Sequence, residues 1–141
     1  MSGTEALAPF RRELVTAVMS GSYYVWAGVE LLDIGDGHAS LRFRPEGEWI
    51  TAWDQVNGGA LSGMLELPSF LALVSALEEG EMAATNDLFV QHLRGVPAGK
   101  EVLLEGTLIR RSRRMAWTEA SASVDGKITT LARITKTVMA G

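Results

Sequence analysis

Between Asp54 and Glu78 the chain carries one ionisable side chain, Glu66, inside the run Val56-Asn57-Gly58-Gly59-Ala60-Leu61-Ser62-Gly63-Met64-Leu65-Glu66-Leu67. A charge is rarely set in a segment destined for burial unless it is paired or used, because desolvation penalises the ionised form. No partner for Glu66 is visible nearby in the sequence. Just upstream, Asn57-Gly58-Gly59 has the composition of a helix mouth with bare backbone N–H groups aimed forward. An acid and a glycine-tipped helix start together point to chemistry on a carbonyl.

The elements that must hold these groups follow from periodicity. Glu5 to Met19 carries a helical stripe of Leu7, Phe10, Leu14, Val15 and Val18, closed by Ser20-Gly21-Ser22. Val25 to Ile34 and His38 to Phe43 read as strands around the turn Gly35-Asp36-Gly37, followed by a loop from Arg44 to Gln55 with Trp49 and Trp53. The glycine pair then opens an apolar helix that runs to about Leu77. It is too apolar for a surface helix and must be covered on most sides. Pro68 interrupts it: either the helix kinks just after Glu66, or two helical pieces meet there. Strands follow at Thr85 to Leu93, Val102 to Ile109, Met115 to Val124 and, after the hairpin pair Asp125-Gly126, Lys127 to Val138. An antiparallel sheet wrapped around one central helix satisfies this order. The expectation is a single α+β domain over 1–141, with an N-terminal helical segment at 1–21, the central helix at 57–78 and C-terminal strands at 85–138.

Composition narrows the chemistry. With 141 residues, 47% hydrophobic, the chain can bury a sizeable core. It has no cysteine, which excludes a disulfide framework and a thiolate nucleophile, and His38 and His92 lack metal-ligand spacing, so no metal site is expected. No apolar run of about 18 residues is present to span a membrane. The first ten residues lack the basic-then-apolar pattern of a leader, so a cytoplasmic location is expected. Residues 1–100 hold 6 basic and 13 acidic side chains and residues 101–141 hold 7 and 4, for an overall charge of −4. That acidity argues against a nucleic-acid partner. The local basic excess lies in Arg110, Arg111, Arg113 and Arg114, which suits either a small polyphosphate or a solvated hairpin tip.

Three blocks carry a resemblance. Asn57-Gly58-Gly59 with an acid seven positions after the second glycine resembles the His-Gly-Gly…Asp helix of hotdog-fold acyl-CoA thioesterases, in the phenylacetate-pathway-like (4-hydroxybenzoyl-CoA thioesterase-like) branch. Thr85-Asn86-Asp87-Leu88-Phe89-Val90-Gln91-His92-Leu93-Arg94 is similar to the strand after the central helix in that branch. Gly99-Lys100-Glu101-Val102 through Ile109-Arg110-Arg111-Ser112-Arg113, ending in Asp125-Gly126-Lys127, is similar to the strands that follow. Together they cover about residues 27 to 138.

The resemblance implies a hotdog fold and hydrolysis of an acyl-CoA, with no cofactor beyond the coenzyme A portion of the substrate. It implies that the Gly58 N–H polarises the thioester carbonyl, that the glycines Gly58 and Gly59 admit the acyl group close to the backbone, and that Glu66 acts as general base or nucleophile. Thr85 falls where the family places a hydroxyl that orients water or acid. Asn57 replaces the commoner histidine and is able to cap the helix. Thr51 stands where relatives carry Asn or Gln near the thioester, a departure that bears on carbonyl activation. Phe70 either narrows the acyl pocket or is core. Trp49 and Trp53 either line that pocket or cover a dimer seam. The four arginines would meet the coenzyme A phosphates.

Geometry adds a constraint. Gly58 and Glu66 are eight residues apart, about 12 Å along a helix axis, so one carbonyl carbon cannot touch both from the same helix. A working site takes Gly58 from one copy and Glu66 from another across a two-fold axis, giving a homodimer with two sites, and two such dimers are expected to stack. The competing reading is a noncatalytic module that binds acyl-CoA; an unpaired buried acid speaks against it. A hotdog dehydratase would need a catalytic histidine beside the helix motif, and neither His38 nor His92 is expected there.

Overall fold

The central helix lies directly on the sheet because the sheet makes room for it at one glycine. A Cβ at Gly106 would collide with the backbone carbonyl of Pro68, so only glycine permits this approach. The computed structural model describes residues 3–141; Met1 and Ser2, part of the expected 1–21 segment, lie outside the described residues. Helix α1 spans Pro9–Met19 and α2 Ser22–Ala27; strands β1 (Glu30–Gly35) and β2 (His38–Phe43) follow. Helices α3 (Gly58–Met64) and α4 (Glu66–Val74) precede β3 (Glu81–His92), β4 (Val102–Arg111), β5 (Met115–Val124) and β6 (Lys127–Ala140). The six strands form one antiparallel sheet in the order β1-β2-β4-β5-β6-β3. This is the α+β hotdog arrangement.

Helix α4 packs across β2, β4 and β5, and every residue from Leu67 to Val74 is buried. Leu61, Met64, Leu65, Leu67, Leu71 and Leu73 are fully enclosed, and each contributes about 1.5–3 kcal/mol by leaving water. Along β5 the buried positions alternate, Ala116, Thr118, Ala120 and Ala122 facing the helix, as the sequence pattern requires.

Three boundaries differ from expectation. The 57–78 helix is two helices joined at Leu65, and the joint precedes Glu66. Leu65 N–H reaches back three residues to the Ser62 carbonyl (3.2 Å), and the Ser69 N–H to Leu65 carbonyl bond is long at 3.4 Å. Pro68, with no N–H for the Met64 carbonyl, is tolerated because it falls in the first turn of α4, where amides lack helical partners anyway. The expected strand from Val25 begins only at Glu30. Ser22–Ala27 is helical and ends at Gly28, whose φ of 68° is the left-handed conformation that closes helices. Strand β3 starts at Glu81, four residues before Thr85.

Strand β3 is one of the two sheet edges, opposite β1, and is twelve residues long, with Met82, Leu88 and Phe89 exposed. Its register against β6 shifts between Thr85 and Asp87, a bulge in which the Asn86 amide oxygen accepts from Thr137 Oγ1 at 2.8 Å. Among the described residues no helix is long and apolar enough to cross a membrane.

Candidate active site

Glu66 is the first residue of α4, where the helix dipole favours a negative charge, and its side chain is 32% exposed. It does have partners. Thr85 Oγ1 donates to Oε1 at 3.0 Å and Oε2 at 2.8 Å, and Lys136 Nζ stands 3.7 Å from Oε1. Lys136 also donates to Thr85 Oγ1 at 2.8 Å. Thr85 and Lys136 face each other in the β3–β6 register, which is why residues 51 apart in sequence meet. Burial pushes the Lys136 ammonium below the ordinary lysine range, and the charge and hydrogen bonding of Glu66 act in the opposite direction. Tyr24 of α2 lies in the field of the acid: burial raises its phenol, and the Glu66 charge raises it further. The expectation of an unpaired acid is therefore corrected, since the sequence reading missed Lys136. A signal was present. In β6 the inward positions run Ala132, Ile134, Lys136, Val138, so the lysine interrupts a buried stripe just as Glu66 does.

At the other end, Asn57 Oδ1 accepts the Ala60 N–H at 3.0 Å and caps α3. The amides of Gly58 and Gly59 have no acceptor among the described residues. His92 stands over this turn. Its Nε2 is 3.1 Å from Ser62 Oγ, its Nδ1 is 3.3 Å from Thr130 Oγ1, and Ser62 Oγ donates to the Gly58 carbonyl at 2.8 Å. With the serine hydrogen committed to that carbonyl, a hydrogen on His92 Nε2 donates to Ser62 Oγ. A Cβ at Gly58 would sit 3.3 Å from His92 Nε2, so the ring fills the space a side chain would need. A cavity of about 260 Å³ opens beside Gly58, His92 and Arg94. The expectation that neither histidine lies beside the helix motif is thus overturned for His92. His38 is elsewhere, near Ser40 and Glu105. The strand carrying His92 runs along the helix, a path that linear spacing does not disclose.

The remaining residues do not gather around one point. Thr51 is spent within its own loop: its N–H bonds the Gln55 carbonyl at 2.7 Å and its Oγ1 accepts the Trp53 N–H at 3.3 Å. Phe70 belongs to the buried core. Gly59 leaves room for the cap, since a Cβ there would stand 3.3 Å from Asn57 Oδ1. Trp49 is buried in a stack with Trp26 (centroids 5.2 Å apart) and Tyr23, whereas Trp53 is exposed. The four arginines divide. Arg111 is held by Glu81 at 2.5 and 2.7 Å and by the Ala76 carbonyl, and it keeps the Glu81 carboxyl below its usual range. Arg110 lies over the Trp117 ring, 5.6 Å from its centroid. Arg113 and Arg114 border a separate cavity of about 450 Å³ with Thr137. Among the described residues, no group of His, Asp or Glu side chains is placed to hold a metal ion.

No protein-family model matches the sequence, and no curated protein matches it. Solved structures do match the fold. A thioesterase from Haemophilus influenzae is 22% identical, with 91% of this chain and 90% of that one covered at a TM-score of 0.81. A phenylacetic acid degradation-related protein from Ralstonia eutropha JMP134, assigned as a thioesterase, is 23% identical over 92% of this chain and 99% of its own, at 0.82. A hypothetical thioesterase from Streptococcus pneumoniae, solved with coenzyme A, is 17% identical over 79% and 86%, at 0.73. This chain has the hotdog fold of those thioesterases.

Proposed function

We propose that the protein is an acyl-CoA thioesterase, hydrolysing RCO–SCoA with water to the free acid and the coenzyme A thiol. The observation that carries this reading is the oriented carboxylate of Glu66: an ionisable group in an otherwise apolar helix, gripped through both oxygens by Thr85 and left one-third open to solvent. Glu66 either takes a proton from water as it attacks the carbonyl or attacks the carbonyl itself to give an anhydride that water then opens. In both routes negative charge develops on the carbonyl oxygen, and the free amide of Gly58, at the positive end of α3 and capped by Asn57, is the donor suited to receive it. Gly59 keeps that approach open. The thioesterase fold of the neighbours and the coenzyme A in one of them support the substrate class.

The site is composite. Gly58 opens α3 and Glu66 follows its far end at the joint with α4, eight residues on and about 12 Å along a helix axis, so a second copy in antiparallel orientation supplies the missing half. The free edge of β3 suits this pairing. Thr85 beside the acid and His92 beside Gly58 stand seven residues apart on it, with Leu88 between, so a two-fold axis near Leu88 brings one acid to the other copy's mouth. An unpaired apolar edge of this length otherwise invites uncontrolled pairing. On the outer sheet face, exposed Phe89, Ile128 and Leu131 offer a surface for stacking two dimers. Arg113 and Arg114, rather than the committed Arg111, are the arginines available to coenzyme A phosphates. Acyl-CoA chemistry and the lack of cysteine fit a cytoplasmic setting.

The experiment is thiol release from a panel of acyl-CoAs, wild type beside Glu66→Gln. Turnover by the wild type that falls by roughly 10²-fold or more in the variant supports the reading. Saturable acyl-CoA binding without turnover on any chain length overturns it in favour of a noncatalytic acyl-CoA-binding module.

A further inference from the structure

Lys136 lies on the inward face of β6 with its side chain only 4% exposed. An ammonium group so placed is costly unless compensated. Its contacts have a fixed direction. Lysine offers three N–H donors and no acceptor, so at 2.8 Å it must donate to Thr85 Oγ1. The hydroxyl therefore keeps its single hydrogen for Glu66, 2.8 Å from Oε2 and 3.0 Å from Oε1. The chain runs one way, from ammonium to hydroxyl to carboxylate.

We propose that Lys136 is a positioning residue for Glu66: acting through Thr85, it aims the carboxylate and keeps it ionised when an acyl group covers the site. This rests on the reading of Glu66 as the reacting acid. The need arises on substrate binding. An acyl group that displaces water from the exposed third of Glu66 favours the protonated acid, which is neither a base nor a nucleophile. A cation 3.7 Å away opposes that neutralisation, and the hydroxyl between them fixes which lone pairs remain free to react. Glu66 in turn helps the buried ammonium keep its proton. Tyr24 of α2 also lies in the field of Glu66, and Tyr23 stands beside Tyr24. Burial raises both phenols, so they stay neutral through the working range and do not supply the charge.

The test compares Lys136→Met and Lys136→Arg with the wild type in two readouts. In acyl-CoA hydrolysis, Lys136→Met is expected to lose roughly tenfold in kcat at neutral pH with KM little changed. The acid limb of its pH profile moves upward by about one unit, so that activity returns as pH rises. Lys136→Arg retains the wild-type acid limb. In carboxyl 13C NMR titration, which needs no turnover, the Glu66 midpoint moves upward in Lys136→Met. If Lys136→Met fails to fold, Thr85→Val, which severs the chain and keeps both charges, is compared with Thr85→Ser, and only the first should disturb the acid limb and the NMR titration. An unmoved Glu66 midpoint, with a pH profile scaled down uniformly, overturns the positioning role and leaves the thioesterase reading standing. A moved midpoint in a protein that hydrolyses no acyl-CoA overturns the thioesterase reading and leaves the Lys136–Glu66 coupling standing.

Discussion

The two ends of α3, the Gly58 mouth and the joint where Glu66 opens α4, solve opposite electrostatic problems. At the Glu66 end a charge already exists, and the fold holds it with a buried cation, a bridging hydroxyl and the start of a helix. At the Gly58 end the helix mouth itself carries no charged side chain, and Arg94 borders its cavity. Bare amides wait beside the hydrogen-bonded chain of His92, Ser62 and the Gly58 carbonyl, suited to a charge that exists only during reaction. One end conditions a reactant and the other conditions a transition state. Because they are separated by about 12 Å within the chain, neither is a site by itself.

The sharpest way to break that comparison is to disable the ends in different molecules. Glu66→Gln and Gly58→Val, each inactive alone, should regain about one quarter of wild-type activity when unfolded together and refolded at equal ratio. Half of the dimers are then mixed, and one of their two sites is intact. No recovery, with mixed dimers demonstrated by mass spectrometry, would place both ends in one chain's site and end the composite reading.

A slightly smaller loss is expected from the seam. Leu88→Asp puts a charge in the middle of the β3 edge. It should yield monomers in sedimentation and abolish turnover while the circular dichroism and the Glu66 titration stay those of the wild type. An active monomer would contradict the shared site.

His92→Ala tests the Gly58 end alone. We expect a several-fold loss in kcat/KM, smaller than for Glu66→Gln, and a stability cost of about 1 kcal/mol from the lost hydrogen bonds, read by denaturant titration. The acid limb of the pH profile should not move, in contrast to Lys136→Met. A moved limb would tie the two ends together electrostatically.

The smallest effect is on stability against pH. Lys136 has a folded-state pKa below its unfolded value of 10.5, so between those two values the unfolded chain binds more protons than the folded one. Stability from this group therefore rises with pH across that window. Thermal melts of wild type should show the rise and those of Lys136→Met should not.

The legible parts of the site are those that disturb a local pattern. Glu66 is a charge in an apolar helix and Asn57-Gly58-Gly59 a glycine-rich start, and both were readable without neighbours. Lys136 disturbs a pattern too, but a strand alternates with a period of two, and a lysine there passes for an outward residue until the phase of Ile134 and Val138 is used. His92 breaks no pattern, so nothing local marked it. The arginines misled in the other direction. Adjacency in sequence suggested one patch, yet strand alternation and the β4–β5 turn send Arg111 into an ion pair with Glu81 and Arg110 over Trp117. Val25 to Ala27 read as strand from residue type, and the aromatic stack of Tyr23, Trp26 and Trp49 accompanies a helix there instead.

By itself the sequence determined the α+β class, the central apolar helix with its acid and glycines, and the alternating strands that cover it. These follow from local periodicity and from the cost of burying charge, both of which act over a few neighbouring residues. Only the tertiary structure decided that Thr85 and Lys136 meet Glu66 and that His92 lies on Gly58. Those contacts depend on the register of β3 against β6, bulge included, and on the depth at which Gly106 lets the helix sit. Register and depth are set by packing summed over the whole sheet, a quantity no single stretch of sequence contains.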